Sequence, residues 1–157
     1  MLKVTKKFDY AMVLLTDLGL QPGTPRSART ISERYGLSHS LAANVLKGLQ
    51  RKELVRSIRG VRGGYVLNRT PAEITLGIVA VAIQGQRRMT DCHGRAGKKE
   101  ACPAFPRCPA RGYMGLLEKK VRNIFEGSTL ADVLSVAGAR REDGAPCRRG
   151  DGIAGAR

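Results

Sequence analysis

The chain has 157 residues with a formal net charge of +15, a length typical of one domain. Hydrophobic residues make up 42%, which excludes a chain that is disordered throughout. The longest uninterrupted apolar segment, Leu76 to Ile83, is too short for a membrane span, and the amino terminus lacks the apolar region of a secretory signal, so we expect a cytoplasmic protein without a membrane partner.

The excess of positive charge favours a polyanionic partner, of which nucleic acid is the most common. Residues 1–70 carry 13 basic and 4 acidic side chains, so this half of the chain has the larger excess of positive charge. Aromatic residues make up only 4%, which supplies few stacking platforms for single strands. Double-stranded DNA is therefore the predicted partner, and a basic surface without a specific partner is the alternative.

Three helices are predicted before residue 53. Apolar residues recur at helical spacing from Val4 to Leu18. The segment from the cap Ser27 to Lys52 predicts two helices that meet at Gly36, with Ser38 or Ser40 opening the second. This pattern is typical of a helix-turn-helix, whose second helix places its first residues in the major groove of DNA.

Residues 53–69 predict a β-hairpin, because β-branched side chains flank the glycine-rich turn from Gly60 to Gly64. A ribbon with arginines can enter a minor groove, whereas charges that only protect an edge strand are the alternative. A helix-turn-helix followed directly by such a hairpin is a winged helix. The arginines along the hairpin and its tip are Arg56, Arg59, Arg62 and Arg69.

A short apolar helix, Leu76 to Ile83, is predicted after the cap Thr75. Residues 86–110 then show no periodicity and hold three of the four cysteines. Such a group in a cytoplasmic protein indicates a metal or cluster site, redox-active thiols or incidental cysteines. No C-x-x-C pair of the usual zinc type occurs in the sequence. The three cysteines, separated by nine and five residues, are Cys92, Cys102 and Cys108.

The last part of the chain predicts one long helix, one short helical turn and a tail. Tyr113 to Glu126 carries an apolar stripe at helical spacing, and the short turn is the LADVL segment at 130–134. From Gly138 onward the chain is rich in Gly and Arg, which is typical of a disordered tail. Cys147 lies in this tail and is interpreted as incidental.

Two stretches of the sequence resemble one family of bacterial regulators. ISERYGLSHS, followed by L-x-x-L-x-x-x-x-L-V-x-S-x-R-G-x-x-G-G-Y-x-L, is similar to the IscR/NsrR (Rrf-type) winged-helix regulators, and the likeness covers roughly residues 1–90. MLKVTKKFDYA and RSIRGVRGGYVL are most similar to regulators of the SUF iron–sulfur assembly system. The resemblance implies a homodimer that binds a pseudo-palindromic operator, with the long helix crossing to the other subunit.

The resemblance places the start of the second helix and the hairpin at the DNA. Ala43 stands where the family often has a polar residue such as Glu, so Asn44 becomes the nearby candidate for reading bases, and the operator sequence is not transferable. The candidate DNA-binding residues are Ser38, Ser40, Asn44, Arg59, Arg62 and Gly63.

The resemblance also implies an iron–sulfur cluster, 2Fe–2S in the first instance, held by the three cysteines of residues 86–110. Regulators of the IscR kind use a His shortly after the third cysteine, where this chain has Arg111. Nitric-oxide-sensing relatives use an Asp from the first helix of the partner subunit, and Asp9 matches it. The candidates for the fourth ligand are therefore Asp9, then His93, then an exogenous ligand or water.

The predicted function is a dimeric repressor that senses iron–sulfur cluster status and controls cluster assembly genes. A nitric oxide or redox sensor with the same ligands is the alternative within this class. A basic RNA-binding protein with a zinc site is the alternative from another class. The sequence shows no glycine-rich phosphate loop and no nucleophile–base arrangement, so no enzymatic activity is predicted.

The predicted fold is mainly α with a small β-hairpin, a winged helix-turn-helix joined to a long dimerisation helix. The divisions along the chain are a DNA-binding domain at 1–85, a cluster-binding loop at 86–110, the dimerisation helix and short terminal helix at 111–137, and a basic tail at 138–157.

Overall fold

The computed structural model describes residues 5–85, 104 and 107–142. Within these ranges the chain forms six helices, one 3-10 turn and one antiparallel hairpin, which confirms the predicted mainly α fold with a small β-hairpin. In chain order the elements are α1 Lys6–Gly19, α2 Ala28–Tyr35, α3 His39–Arg51, β1 Val55–Ile58, β2 Gly64–Leu67, the 3-10 turn Pro71–Glu73, α4 Leu76–Gln84, α5 Arg111–Gly127 and α6 Leu130–Glu142.

The helices begin and end at the residues that local chemistry favours. The Ser27 hydroxyl accepts a hydrogen bond from the backbone N–H of Thr30 at 3.0 Å and so caps α2. Gly36 ends α2 in the left-handed conformation with φ 63°, which glycine adopts without a steric penalty. Thr75 caps α4 by accepting from the N–H of Ile78 at 3.2 Å. These caps confirm the predicted positions of the helix-turn-helix and of the short apolar helix.

The last helix is longer than the LADVL turn that the sequence predicted. α6 continues to Glu142 and therefore passes Gly138, the expected start of the tail. Ala and Arg are among the best helix formers, and they outweigh the single glycine in this stretch. The prediction of a tail for 143–157, including Cys147, lies outside the described residues.

The hydrophobic core lies where α1 packs against α3, the hairpin and the helices that follow. α1 supplies one face of buried side chains, which α3 meets with a second face, and Val79 and Leu130 bring α4 and α6 into the same core. The burial of these apolar surfaces is the main favourable contribution to the stability of the fold. The buried residues of α1 and α3 are Phe8, Ala11, Leu14, Leu15, Leu18, Ala42, Val45, Leu46 and Leu49.

Two backbone pairings join segments that are distant in sequence. Arg26 and Tyr65 exchange both backbone hydrogen bonds, at 3.0 and 2.8 Å, so the segment before α2 forms a single antiparallel bridge to β2 near the turn of the hairpin. Thr75 and Thr129 form a second antiparallel bridge, where Leu130 N–H donates to Ile74 C=O at 2.8 Å. The second bridge brings the start of α4 beside the start of α6.

Candidate nucleic-acid interface and metal centre

The start of α3 presents polar side chains to solvent, as the helix-turn-helix prediction requires. Ser38 is the N-cap of α3, but its hydroxyl makes no capping hydrogen bond and lies 3.1 Å from the hydroxyl of Ser40. Both serines and Asn44 are exposed. Because a hydroxyl can donate once and accept twice, each serine keeps capacity for a further partner. The position of these three residues is as predicted, and their contact with DNA stays a prediction.

The tip of the hairpin is an exposed turn between two arginines. Arg59, Val61 and Arg62 are all exposed, and the turn is closed by a hydrogen bond of 2.9 Å from Gly63 N–H to Gly60 C=O. A Cβ added at Gly63 would lie 2.3 Å from the carbonyl oxygen of Ile58. Gly63, predicted at the DNA, therefore also has a steric role, because only glycine fits this tight turn.

Asp17 forms a buried charge centre that the sequence analysis missed. Its side chain is 1% exposed, and its Oδ2 lies 3.2 Å from Nε of Arg26. Its Oδ1 accepts a hydrogen bond from the Tyr35 hydroxyl at 2.9 Å and lies 3.4 Å from Nη1 of Arg34. An aspartate among the leucines of an amphipathic helix is the signal that could have found it, because a buried carboxylate requires partners.

α5 carries two apolar stripes with different surroundings. Met114, Leu117, Val121 and Phe125 are half-buried, and the ring of Phe125 lies 6.0 Å from that of Phe8 in α1. The members of the other stripe are three and eight residues apart along the helix and are largely exposed to solvent. Its members are Tyr113, Leu116 and Ile124, which are 69%, 53% and 65% exposed. The first stripe confirms the predicted apolar face and fixes α5 to the core.

The candidate metal ligands lie only partly within the described residues. Cys108 is a free, half-buried thiol directly before α5, where Arg111 N–H donates to its carbonyl oxygen at 3.4 Å. Asp9 is exposed in the first turn of α1. Cys92, Cys102 and His93 lie outside the described residues. Among the side chains that the structure describes, no three His, Cys, Asp or Glu residues come together as a metal site.

The three-helix core with its short hairpin defines a winged-helix regulator of the DNA-binding class. A family model, Rrf2, described as an iron-dependent transcriptional regulator, matches residues 4–135. The chain therefore belongs to the Rrf2 family, and it is a DNA-binding transcriptional regulator of the iron–sulfur-sensing type. In the described part of the chain, no helix is both long and apolar enough to span a membrane.

Relatives and solved structures agree with this assignment. The chain is 33% identical over 135 residues to the HTH-type transcriptional regulator IscR of Sodalis glossinidius, a match that covers 85% of this chain and 79% of that relative. It is 33% identical over 150 residues to IscR of Serratia proteamaculans, covering 90% and 88% of the two chains. The structure of T. potens IscR is 26% identical, with a TM-score of 0.69 over 94% of this chain and 93% of the other. The structure of CymR, the global cysteine regulator of B. subtilis, is 27% identical, with a TM-score of 0.68 and coverage of 87% and 98%.

Proposed function

We propose that the chain is a homodimeric repressor that reads a pseudo-palindromic operator and responds to the state of an iron–sulfur cluster. The observation that carries the proposal is the exposure of two different DNA-contacting elements on one winged-helix core. The polar start of α3 and the arginine-bearing hairpin tip are both in solvent. The target genes proposed are those of iron–sulfur cluster assembly, and the protein would act in the cytoplasm, where operator DNA lies.

In the proposed interface the two elements read different grooves. Ser38, Ser40 and Asn44 enter the major groove at the start of α3, where Asn can form a bidentate pair with adenine. Arg59 and Arg62 follow the hairpin tip, held in shape by Gly63, into the minor groove. The formal net charge of +15 supplies the attraction to phosphates that does not depend on sequence.

The donor set of the chain fits an iron–sulfur cofactor. Cys108 is a free thiol that is only half-buried, and thiolates are the soft ligands that such clusters require. We propose Cys92, Cys102 and Cys108 as the thiolate ligands of a 2Fe–2S cluster. When bound, the cluster supplies a redox-active centre that oxygen or nitric oxide can alter.

We propose Asp9 of the partner subunit as the fourth ligand, ahead of His93. Asp9 is exposed at the start of α1, so its carboxylate is accessible to another subunit. A carboxylate oxygen is a harder and more weakly held ligand than a thiolate. Asp9→Ala should change the visible spectrum and uncouple DNA binding from cluster state, while Cys108→Ala should lose the cluster. An unaltered spectrum in Asp9→Ala would remove Asp9 from the site and put His93 first.

The proposed dimer rests on the second stripe of α5. Exposed apolar side chains on a helix that already has a half-buried apolar face mark an interaction site, here with Lys120 between Leu116 and Ile124. Tyr113, Leu116 and Ile124 would meet the same surface of a second copy, as a two-fold axis requires.

Operator binding by the holo and apo proteins tests the function directly. If about 6–10 phosphates are contacted, affinity should fall by roughly 10³–10⁵ between 50 and 200 mM salt. Arg59→Ala should weaken specific binding, whereas the matched control Lys119→Ala, an exposed cation on α5, should not. Equal losses in the two variants would contradict a wing in the groove and indicate diffuse electrostatics.

Metal analysis separates the proposed sensor from the zinc alternative. Protein purified without oxygen should be coloured and contain iron. A colourless product that contains zinc and lacks iron would overturn the cluster proposal and indicate a zinc site in this DNA-binding regulator. Exposure of the coloured protein to nitric oxide or oxygen, followed by operator binding, then distinguishes the signals.

A further inference from the structure

We infer that Asp17 is a positioning residue that sets the orientation of the hairpin relative to the recognition helix α3. The inference rests on the proposed DNA interface, which uses both elements. Asp17 itself lies in the last turns of α1 and is buried, so it acts through its neighbours and does not touch DNA.

The first connection runs from Asp17 to β2 of the hairpin. Arg26, with a side chain that is 14% exposed, lies 3.2 Å from the Asp17 carboxylate, and its Nη1 also donates to Gln21 Oε1 at 2.5 Å. The backbone of the same arginine pairs with Tyr65 of β2 at both its N–H and its C=O. Arg26 therefore joins the hairpin by its backbone and α1 by its side chain.

The second connection runs from Asp17 to the turn before α3. Tyr35 donates its hydroxyl to Asp17 at 2.9 Å, and Arg34 lies 3.4 Å from the same carboxylate oxygen. Both residues are in the last turn of α2, directly before Gly36 and the N-cap of α3. α1 supports this turn a second time, because the Tyr10 hydroxyl accepts from Ser38 N–H at 3.3 Å.

The Asp17 carboxylate thus contacts both Arg26, which pairs with the hairpin, and the end of α2, which leads into α3. The Asp17 carboxylate interacts strongly with Arg26, since both side chains are largely buried and little water screens the charges, and more weakly with Arg34, whose side chain is 42% exposed. If the charge of Asp17 is removed, the side chain of Arg26 loses its partner in α1 while its backbone still follows β2. We expect the hairpin then to sample several orientations relative to α3, so that Arg59 contacts the minor groove for only part of the time.

A double-mutant cycle on operator binding tests this role. Arg59→Ala is measured in the wild type and in Asp17→Asn, at a temperature where circular dichroism shows both proteins folded. If Asp17 positions the hairpin, the fold-loss caused by Arg59→Ala should shrink at least about fivefold in the Asp17→Asn background. A role in stability alone would lower the melting temperature but leave the two losses equal, and that result would overturn the inference.

Two further variants keep the outcome clear. Glu33→Gln is the matched control, because Glu33 also pairs with an arginine, Arg29 at 2.8 Å, but on the exposed side of α2. It should leave the effect of Arg59→Ala unchanged. If Asp17→Asn does not fold, Tyr35→Phe removes one hydrogen bond from the same carboxylate and should reduce the Arg59→Ala loss in the same direction. No effect of Arg59→Ala in the wild type would instead contradict the proposed interface itself.

Discussion

At the scale of single residues, two serines at helix starts differ in the hydrogen bonds of their hydroxyls. The Ser27 hydroxyl accepts a hydrogen bond from the backbone of its own helix, whereas the Ser38 hydroxyl makes no such bond and pairs with the hydroxyl of Ser40. A cap that satisfies a backbone N–H stabilises the helix, and a serine that does not is available for a ligand. The two positions therefore separate the contribution to folding from the contribution to DNA binding.

Ser27→Ala should affect stability, whereas Ser38→Ala should affect operator binding. Ser27→Ala should lower the free energy of unfolding by about 1 kcal/mol, because the N–H of Thr30 loses its partner. Ser38→Ala should leave stability nearly unchanged but weaken operator binding by about tenfold, the cost of one hydrogen bond. Urea unfolding and fluorescence anisotropy measure the two effects. Equal stability losses in both variants would show that Ser38 also caps its helix.

The carboxylate of Asp132 makes the stability of the protein depend on pH. The backbone N–H of Thr129 and then its hydroxyl donate to this carboxylate, at 2.7 and 2.8 Å, and hold the pKa of Asp132 below its ordinary value. A carboxyl whose pKa is lower in the folded state adds stability above its unfolded pKa. That stability is lost as the pH falls through the folded pKa.

Asp132→Asn should therefore flatten the acid side of the stability profile. Between neutral pH and about pH 3, the free energy of unfolding should fall less in the variant than in the wild type, because the variant has no carboxyl to protonate at this position. Thr129→Ala removes the hydroxyl, which also accepts from the Asp132 N–H at 3.3 Å, but keeps the backbone N–H donor to the carboxylate, so the slope of its profile should lie between the two. Parallel profiles for all three proteins would argue against a contribution from this cap.

At the scale of elements, the hairpin depends on a close approach between backbones. A Cβ at Gly64 would lie 2.5 Å from the carbonyl carbon of Arg26, beside the bridge between Arg26 and Tyr65. The backbone cannot yield there without breaking the pairing of Arg26 with Tyr65. Gly112 in α5 has no atom within 4 Å of the same added carbon, so it serves as a matched control.

Substitution at these two glycines should change stability in opposite directions. Gly64→Ala should destabilise the protein by about 1–3 kcal/mol, as overpacked sites do. Gly112→Ala should stabilise it by roughly 0.5–1 kcal/mol, because alanine loses less backbone entropy in a helix. Thermal unfolding of the two variants beside the wild type measures both changes, and a neutral Gly64→Ala would mean that the bridge between Arg26 and Tyr65 contributes little to stability.

The elements themselves were predictable because their signals are local. The caps Ser27 and Thr75 act on a residue three positions away, and Gly36 needs only its own φ to end α2. The bridge between Arg26 and Tyr65 and the charges around Asp17 join distant segments, so they depend on tertiary packing that no local pattern contains. The exposure of Ser38 and Ser40 follows from the position of α3, whereas the cysteines at 92 and 102 lie outside the described residues.

At the scale of the whole molecule, the exposed stripe of α5 should determine the association state. Leu116→Glu or Ile124→Glu would place a carboxylate in the proposed two-fold contact, where a buried charge is costly. Each variant should sediment as a folded monomer and bind a palindromic operator weakly. Lys119→Glu, at an exposed position outside this stripe, is the control and should remain dimeric. Unchanged sedimentation of both stripe variants would exclude this surface as the interface.

The bridge between Thr75 and Thr129 closes a loop that begins with α4 and ends with α5, the helices on either side of the cysteine-bearing segment, residues 86–110. Both helices pack against the core, so they fix the two ends of the segment independently of its length. Doubling such a closed loop costs only about 0.6 kcal/mol of closure entropy. We therefore expect insertions and deletions there to be nearly neutral for the fold, so that the nine-residue gap between Cys92 and Cys102 is free to vary with the proposed cofactor. Under the proposed function, evolution can change the signal that this segment detects without changing the DNA sequence that the winged helix binds.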